Sequence, residues 1–432
     1  MNNPIRLLVR SALLIAVSVF SGGALADTAL TPKANDIWVM AGDSITAQRQ
    51  HSNFIETFYR TRHPELNLQF RNSGIGGNRT GSILARFDYD VAAWKPTIVS
   101  IELGMNDVSA GDDPAGYIKG MRDLLKRIRD IKATPVFISS SPVNDGSLPG
   151  NWKSDRCRRI DPYTVALKKL AEEEGVAFVD QYHPLLEMWG KNNPQEDAPA
   201  PAAAPAANVP PAAGGPAAAK PPVKKPSTGK IPLGGDAVHP GPVGQYTMAA
   251  TILASLKVDR DVSSATLKAD GSVVDARRCK ITDAAANNGK LSFTRLDERL
   301  PWPVDPKAKT AVDLMPSIAD LSQYLLTVKD LPSGKYDVTI EGKPAATVTA
   351  EQLAAGWNMS TVFEGAIGER STKVLGLLST LQGKLNNDWR AASKEKNVEK
   401  LAAAQKAIDE LEQQIQAACK PAALKFEIQP VK

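Results

Sequence analysis

Cysteine and histidine are scarce, with three and four residues respectively in a chain of 432. Cys157, Cys279 and Cys419 are too few for a disulfide-stapled scaffold, and their spacing fits no zinc motif. One bridge is the most this set allows. Cys279 with Cys419 is the expected pair, because Cys157 lies in an earlier part of the chain; the alternative is three buried thiols. Neither sign of charge dominates, since 52 Lys and Arg stand against 47 Asp and Glu. No basic stripe interleaved with aromatics occurs, so a nucleic-acid partner is not expected. Long apolar runs are also missing. The apolar stretch at 11–20 (SALLIAVSVF) is too short to span a bilayer, and no later run reaches about 18 residues, so no stable membrane anchor is expected.

What is present begins with that short run. Arg6 and Arg10 precede it, and Ala24-Leu25-Ala26 follows with the small-x-small pattern of a signal-peptidase site. Residues 1–26 therefore read as a signal peptide, which implies export to the periplasm or outside. Its loss removes two positive charges and takes the net charge from +5 to +3.

Residues 27–258 read as one α/β domain. Short apolar segments at 37–40 (IWVM), 68–70, 97–103 (TIVSIEL), 135–139 (PVFIS) and 176–179 (VAFV) are bounded by Gly, Asn, Asp or Pro, as buried parallel strands are. Between the third and fourth, Tyr117, Met121, Leu124, Leu125, Ile128 and Ile131 form an apolar stripe at helical spacing. Five strands with helical crossovers predict a doubly wound α/β/α fold, with its ligand site at the carboxyl ends of the strands. One stretch interrupts the domain: from 198 to 222, twenty of twenty-five residues are Ala or Pro. Such a composition cannot pack, so 196–228 reads as a disordered insertion. Residues 259–432 change character. Segments 324–329 and 335–341 alternate like strands around a Pro-Ser-Gly turn, and Glu341-Gly342-Lys343 is a second turn. A helical hairpin is expected over 369–418, broken near Asn386-Asn387, and 425–428 (KFEI) reads as a returning strand. This is a β-rich accessory domain carrying a helical hairpin.

Four blocks carry chemistry, three of them at ends of predicted strands and the fourth near the end of the domain. Asp43-Ser44 follows the first strand, where Ser44 stands at the sheet's carboxyl edge. Taken alone this is a helix cap or turn. Asn72-Ser73-Gly74-Ile75-Gly76-Gly77-Asn78 follows the second strand and leaves backbone N–H groups uncovered, and Gly104-Met105-Asn106-Asp107 places an amide after the third. Asp236-Ala237-Val238-His239 spaces a carboxylate and an imidazole three residues apart, close enough for Asp236 to fix the tautomer of His239. Asp43 and Asp107 read as helix caps or loop braces, and His51, His63 and His183 have no partner at a diagnostic spacing. A metal site on His239, Asp236 and Asp43 would hold one histidine, so neither metal nor cofactor is expected.

In order and spacing these blocks resemble the SGNH (GDSL-like) hydrolase superfamily of exported bacterial type, with Ser44 in GDSIT, Gly77 in NSGIGGN, Asn106 in GMND and His239 in DAVHP. The resemblance covers about residues 36–256. It implies a flavodoxin-like fold with five parallel strands and a Ser44–His239–Asp236 triad. The oxyanion hole would come from the Ser44 and Gly77 N–H groups and the Asn106 amide. Two features depart from the pattern: the Ala/Pro stretch precedes the DxxH block where a shorter connection is expected, and the first block reads GDSI. The implied activity is a serine esterase acting on a small-molecule or glycan ester. The strand-end loops offer Thr46, Gln48, Arg49, Gln50, Ser52, Asn53, Asn78, Arg79, Thr80, Ser109, Asp112, Asn144 and Asp145, few of them apolar. That favours short acyl groups, acetyl above all, on a carbohydrate. The competing readings are a lysophospholipase or thioesterase for longer chains, and a non-catalytic glycan-binding protein.

Overall fold

The structure is a computed structural model and describes residues 30–147, 149–194 and 229–431. Residues 1–26, read from sequence as a signal peptide, and the Ala/Pro stretch lie outside the described residues.

Five strands, β1 (Ile37–Gly42), β2 (Gln69–Gly74), β3 (Ile98–Glu102), β4 (Thr134–Ile138) and β5 (Ala177–Val179), form an all-parallel sheet in the order β2-β1-β3-β4-β5. This is the doubly wound flavodoxin-like arrangement. The period of two along β1 sorts its side chains between two cores. Trp38 and Met40 face helices His51–Arg62, Tyr182–Asn192 and Pro242–Ser255, whereas Val39 and Ala41 face helices Thr80–Asp90, Pro114–Asp130 and Asp161–Glu174. The stripe from Tyr117 to Ile128 is buried as its spacing predicts.

Helix Pro242–Ser255 is buried from Val243 to Leu253, including Gln245 and Thr247. The reason lies later in the chain. Residues 300–321 return to the first core, where Trp302 packs 4.5 Å from the Tyr246 ring and donates its indole N–H to Phe54 O at 2.8 Å.

The remaining strands are β6 (Asp261–Lys268), β7 (Val273–Arg277), β8 (Cys279–Asn287), β9 (Lys290–Asp297), β10 (Gln323–Lys329), β11 (Lys335–Ile340), β12 (Lys343–Thr349), β13 (Trp357–Asn358) and β14 (Leu424–Pro430). They form two sheets, β13-β10-β6-β7 and β12-β11-β14-β9-β8, that share one apolar core. Three expectations change here. First, β10 and β11 flank the Pro-Ser-Gly turn but do not pair; the chain crosses there from one sheet to the other. The true hairpin is β11–β12, where Glu341 and Gly342 both take positive φ (53° and 73°) as a tight hairpin turn requires. Second, the Asn386-Asn387 pair does not break the helix. It lies in a π-turn, Leu385–Trp389, that continues from helix Gly365–Lys384 into Arg390–Glu395. The break falls at Lys396, which is left-handed, and at Asn397, whose side chain caps helix Val398–Cys419. Third, all three cysteines are free. The Cys279 thiol reaches Ser264 O at the start of β8, while Cys419 ends the last helix beside Arg60 and Glu56, and its thiol is pushed up to about 12, chiefly by burial.

The helical hairpin packs on β2, the edge strand of the parallel sheet. Asn72 N donates to Gln382 Oε1 at 3.4 Å and Asn72 O accepts from Arg390 at 3.1 Å. Backbone groups that an open edge would expose are thus satisfied by the accessory region. Trp94 stacks on Trp389 with ring centroids 3.4 Å apart.

Candidate active site

The first block sits where β1 ends, because only glycine fits there. A Cβ on Gly42 would stand 2.0 Å from Thr46 Oγ1 and 3.0 Å from Glu102 O. The chain turns at once into the short helix Ser44–Ala47, capped by Asp43, whose carboxylate accepts from Ile45 N at 2.9 Å. The second block approaches from β2: a Cβ on Gly76 would meet Ser44 Cβ at 3.8 Å, and Gly77 has φ +72° with open space beside it. Asn106, in the first turn of helix Met105–Ala110, donates its amide to Asn78 O at 3.1 Å and to Asp43 Oδ2 at 3.3 Å. That one side chain ties three blocks together. Asp107 accepts from Thr80 N and Oγ1, as the brace it was read to be.

The fourth block arrives through a closed loop. Gly235 (φ +75°) pairs with Pro240, and Asp236 N donates to His239 O at 3.0 Å. Asp236 Oδ1 accepts from Val238 N and His239 N, each at 2.8 Å, and the two carboxylate oxygens stand 3.2 and 3.1 Å from His239 Nδ1. His239 Nε2 lies 2.8 Å from Ser44 Oγ. Burial would raise the Asp236 pKa, but the His239 and Val238 N–H groups and the imidazole outweigh it and hold the carboxyl below its ordinary range. The structure therefore brings Ser44, His239 and Asp236 into one hydrogen-bonded line, with Gly77 and Asn106 nearby. A base in contact with a hydroxyl, oriented by a carboxylate, is an arrangement that can activate a nucleophile. Among the described residues no group of three His, Cys, Asp or Glu could hold a metal.

Beneath this line lies a buried network that sequence reasoning missed. His51 places Nε2 3.0 Å from Glu102 Oε2 and Nδ1 2.7 Å from Gln245 Oε1. Both ring nitrogens face acceptors, so His51 is the doubly protonated form. Burial opposes that charge, yet Glu102 and Gln245 more than offset it and its pKa is raised. Glu102 also accepts from Gln181 and Thr46. Gln245 in turn donates to Gln48, which donates to the carbonyl oxygen of Pro240, the residue after His239. The partners of His51 are 51 and 194 residues away in sequence. No local spacing announces them.

Asp43 stands at the top of this network. Burial, and then the charge of Glu102, raise its carboxyl from 3.8 to about 7. A raised folded value means the stabilisation is fully present below about 3.8 and is lost as pH rises through about 7. Asp43→Asn removes that loss while keeping an acceptor for Ile45 N. The melting temperature of the variant, relative to the parent, should therefore rise by roughly 1–2 °C between pH 5 and pH 8, the size of a ~1 kcal/mol change spread over about 400 residues. Parallel melting curves with a constant offset across that range would contradict the assignment.

A cavity of about 250 Å³ opens over Ser44, Asn106 and His239. Its lining corrects the expected polar mouth. Of the strand-end residues named from sequence only Ser109 reaches it; Val108, Val143, Ile160 and Val238 supply apolar walls, and Arg156 and Arg159 supply charge. Thr46, Ser52 and Thr80 are buried instead, and Asn144 and Asp145 hold their own turns. Gln48, Arg49, Gln50 and Asn53 line a separate cavity of about 210 Å³ against Gln382 of the accessory helix.

Residues 40–245 match the model of the GDSL-like Lipase/Acylhydrolase family. An acetylxylan esterase of Geobacillus stearothermophilus is 32% identical over 127 residues, which are 27% of this chain and 56% of that esterase, so the chain matches little more than half of that relative's length. A gut microbial diltiazem-metabolizing enzyme has the same fold with a TM-score of 0.73 and 20% identity, covering 94% of this chain and 100% of its own. That likeness extends over the accessory region as well as the parallel sheet.

Proposed function

We propose that the chain is an exported serine esterase that removes short acyl groups, acetyl foremost, from a carbohydrate. The observation that carries this is the Ser44–His239–Asp236 line at the carboxyl edge of the sheet. His239 Nε2 takes the Ser44 proton as Oγ attacks the ester carbonyl to give a tetrahedral intermediate, and then protonates the alkoxide as its C–O bond breaks, leaving the acyl-enzyme. Asp236 holds Nδ1–H and balances the imidazolium. The developing oxyanion is received by the N–H groups of Ser44 and Gly77 and by the Asn106 amide, which lines the cavity and gives up one of its two bonds, to Asn78 O or Asp43, to do so. Water then repeats the sequence on the acyl-enzyme.

The size of the site supports a short acyl group. At about 250 Å³ the cavity falls below the ~300–1,000 Å³ of sites that enclose drug-sized ligands, and it must also admit the carrier's oxygen. The similarity to an acetylxylan esterase supports a saccharide carrier. The signal-like N-terminus supports export, and among the described residues no helix is long and apolar enough to cross a membrane. On this reading residues 27–258 are the hydrolase domain and 259–432 an accessory domain that braces it. Across p-nitrophenyl esters, kcat/KM should fall at least about tenfold from acetate to octanoate, because each added CH₂ finds no further wall to bury it. Acetylated xylan should release acetate. An optimum at eight carbons or longer would move the substrate to lipids, and no turnover of any ester would end the esterase reading.

A further inference from the structure

Two guanidinium groups line the cavity over Ser44 without an evident structural duty. Arg156 and Arg159 are exposed and three residues apart, on one face of the segment after β4. The opposite face anchors the segment: Cys157 and Ile160 are buried, Ser154 caps Cys157 N, and Cys157 O accepts from Tyr182. The backbone that carries the two arginines is thus held firmly. Other surface arginines of the same domain meet carboxylates: Arg79 with Asp112, Arg122 with Glu173 and Glu174, Arg129 with Glu174. Among the described residues neither Arg156 nor Arg159 has such a partner, and no carboxylate lines the cavity.

We propose that this cavity takes an ester whose carrier bears an anionic group near the esterified oxygen, and that Arg156 and Arg159 bind that group. The proposal rests on the esterase reading and narrows its substrate to an acidic saccharide. Guanidinium forks match carboxylate, sulfate and phosphate oxygens, so the shared chemistry is an oxyanion on the sugar. The apolar walls from Val143 and Val238 then remain for the acyl group.

The test compares kcat/KM on three substrates: an acetylated uronic acid, its uncharged methyl ester, and an acetylated sugar phosphate. The parent protein should favour the free acid over its methyl ester by about tenfold through KM, and 0.5 M salt should erode the preference. In Arg156→Gln/Arg159→Gln the ratio should fall to about one, whereas Arg156→Lys/Arg159→Lys should keep part of it. If the phosphate is preferred to the uronate, the anion is a phosphate and the two arginines still read it. Equal rates on the acid and its methyl ester, or a preference that survives the glutamine pair, would overturn the proposal. So would a fall in kcat on every ester alike, which would make the arginines general transition-state stabilisers. Should the parent hydrolyse none of the three, the esterase reading fails first. Calorimetric binding of the unesterified uronate to Ser44→Ala, with and without the glutamine pair, then decides the anion site alone: binding lost with the arginines supports it, and no binding refutes it.

Discussion

Ser44→Ala should lower kcat on p-nitrophenyl acetate by about 10⁴–10⁶-fold with little change in KM, and His239→Ala should do nearly the same. The hydroxyl and the ring meet at 2.8 Å, so removing either abolishes the same step. The double variant should therefore be scarcely worse than either single one, because the two losses are not independent. Asp236→Ala should cost less, since His239 keeps its contact with Ser44 even when its tautomer is no longer fixed. Ser44 is only partly buried and ends no core contact, so the alanine protein should melt within a degree or two of the parent. That separation matters: a low rate with an unchanged melt assigns chemistry, whereas a low rate with a lowered melt assigns folding. A Ser44→Ala protein within tenfold of the parent would remove Ser44 from the nucleophile's place.

Much of this site could be read from sequence because its parts are local. A glycine-Asp-Ser turn follows a four-residue apolar run, and Asp236 and His239 are three residues apart, so each block reports its own geometry. One local pair escaped, His183 with Asp180 three residues before it at 2.7 Å, but its ring also meets Asp161 and not a hydroxyl; the rest of what escaped is non-local. His51 was unremarkable in sequence because Glu102 and Gln245 reach it only across the folded sheet. The polar strand-end loops misled for a related reason. Their side chains are spent on the scaffold, as Ser52 is on Asn72 and Arg79 on Asp112, while Arg156 and Arg159 come from a segment whose only signal was a run of basic residues. In the accessory region the strands were legible from their alternation, but not which sheet each joins. Pairing depends on partners such as β14, more than eighty residues after β11. The helix break was misplaced because an Asn pair is tolerated in a π-turn whose flanking Leu385 and Trp389 are buried.

The contact between the helical hairpin and the parallel sheet yields the second large effect, on stability. Glu412, in helix Val398–Cys419, lies between two buried arginines, Arg60 of helix His51–Arg62 and Arg71 of β2. Arg71 donates to it at 2.7 Å, and Arg60 Nη2 stands 2.7 Å away but off the line of a good hydrogen bond, so that contact is mainly Coulombic. Burial would raise the Glu412 carboxyl, yet Arg60 and Arg71 outweigh it and hold it below the ordinary range. A lowered folded value gives stability that is present above about 4.5 and lost as pH falls through the folded pKa. Glu412→Gln keeps the shape and removes the charge, leaving two buried cations with too few anions. Breaking such a group costs on the order of 3–5 kcal/mol. One neighbour softens the loss. Glu56 pairs with Arg60 at 2.8 Å, and burial together with the charge of Glu412 holds its carboxyl near 7. Without Glu412 it ionises more readily and restores part of the balance, so the expected cost at pH 7.5 is about 3 kcal/mol by denaturant unfolding. Glu56→Gln/Glu412→Gln should then be destabilised by more than the sum of the single variants, because neither carboxylate remains to compensate. Simple additivity would mean that Glu56 is not the reserve. A Glu412→Gln protein as stable as its parent would show that the hairpin and the sheet are not coupled through this cluster.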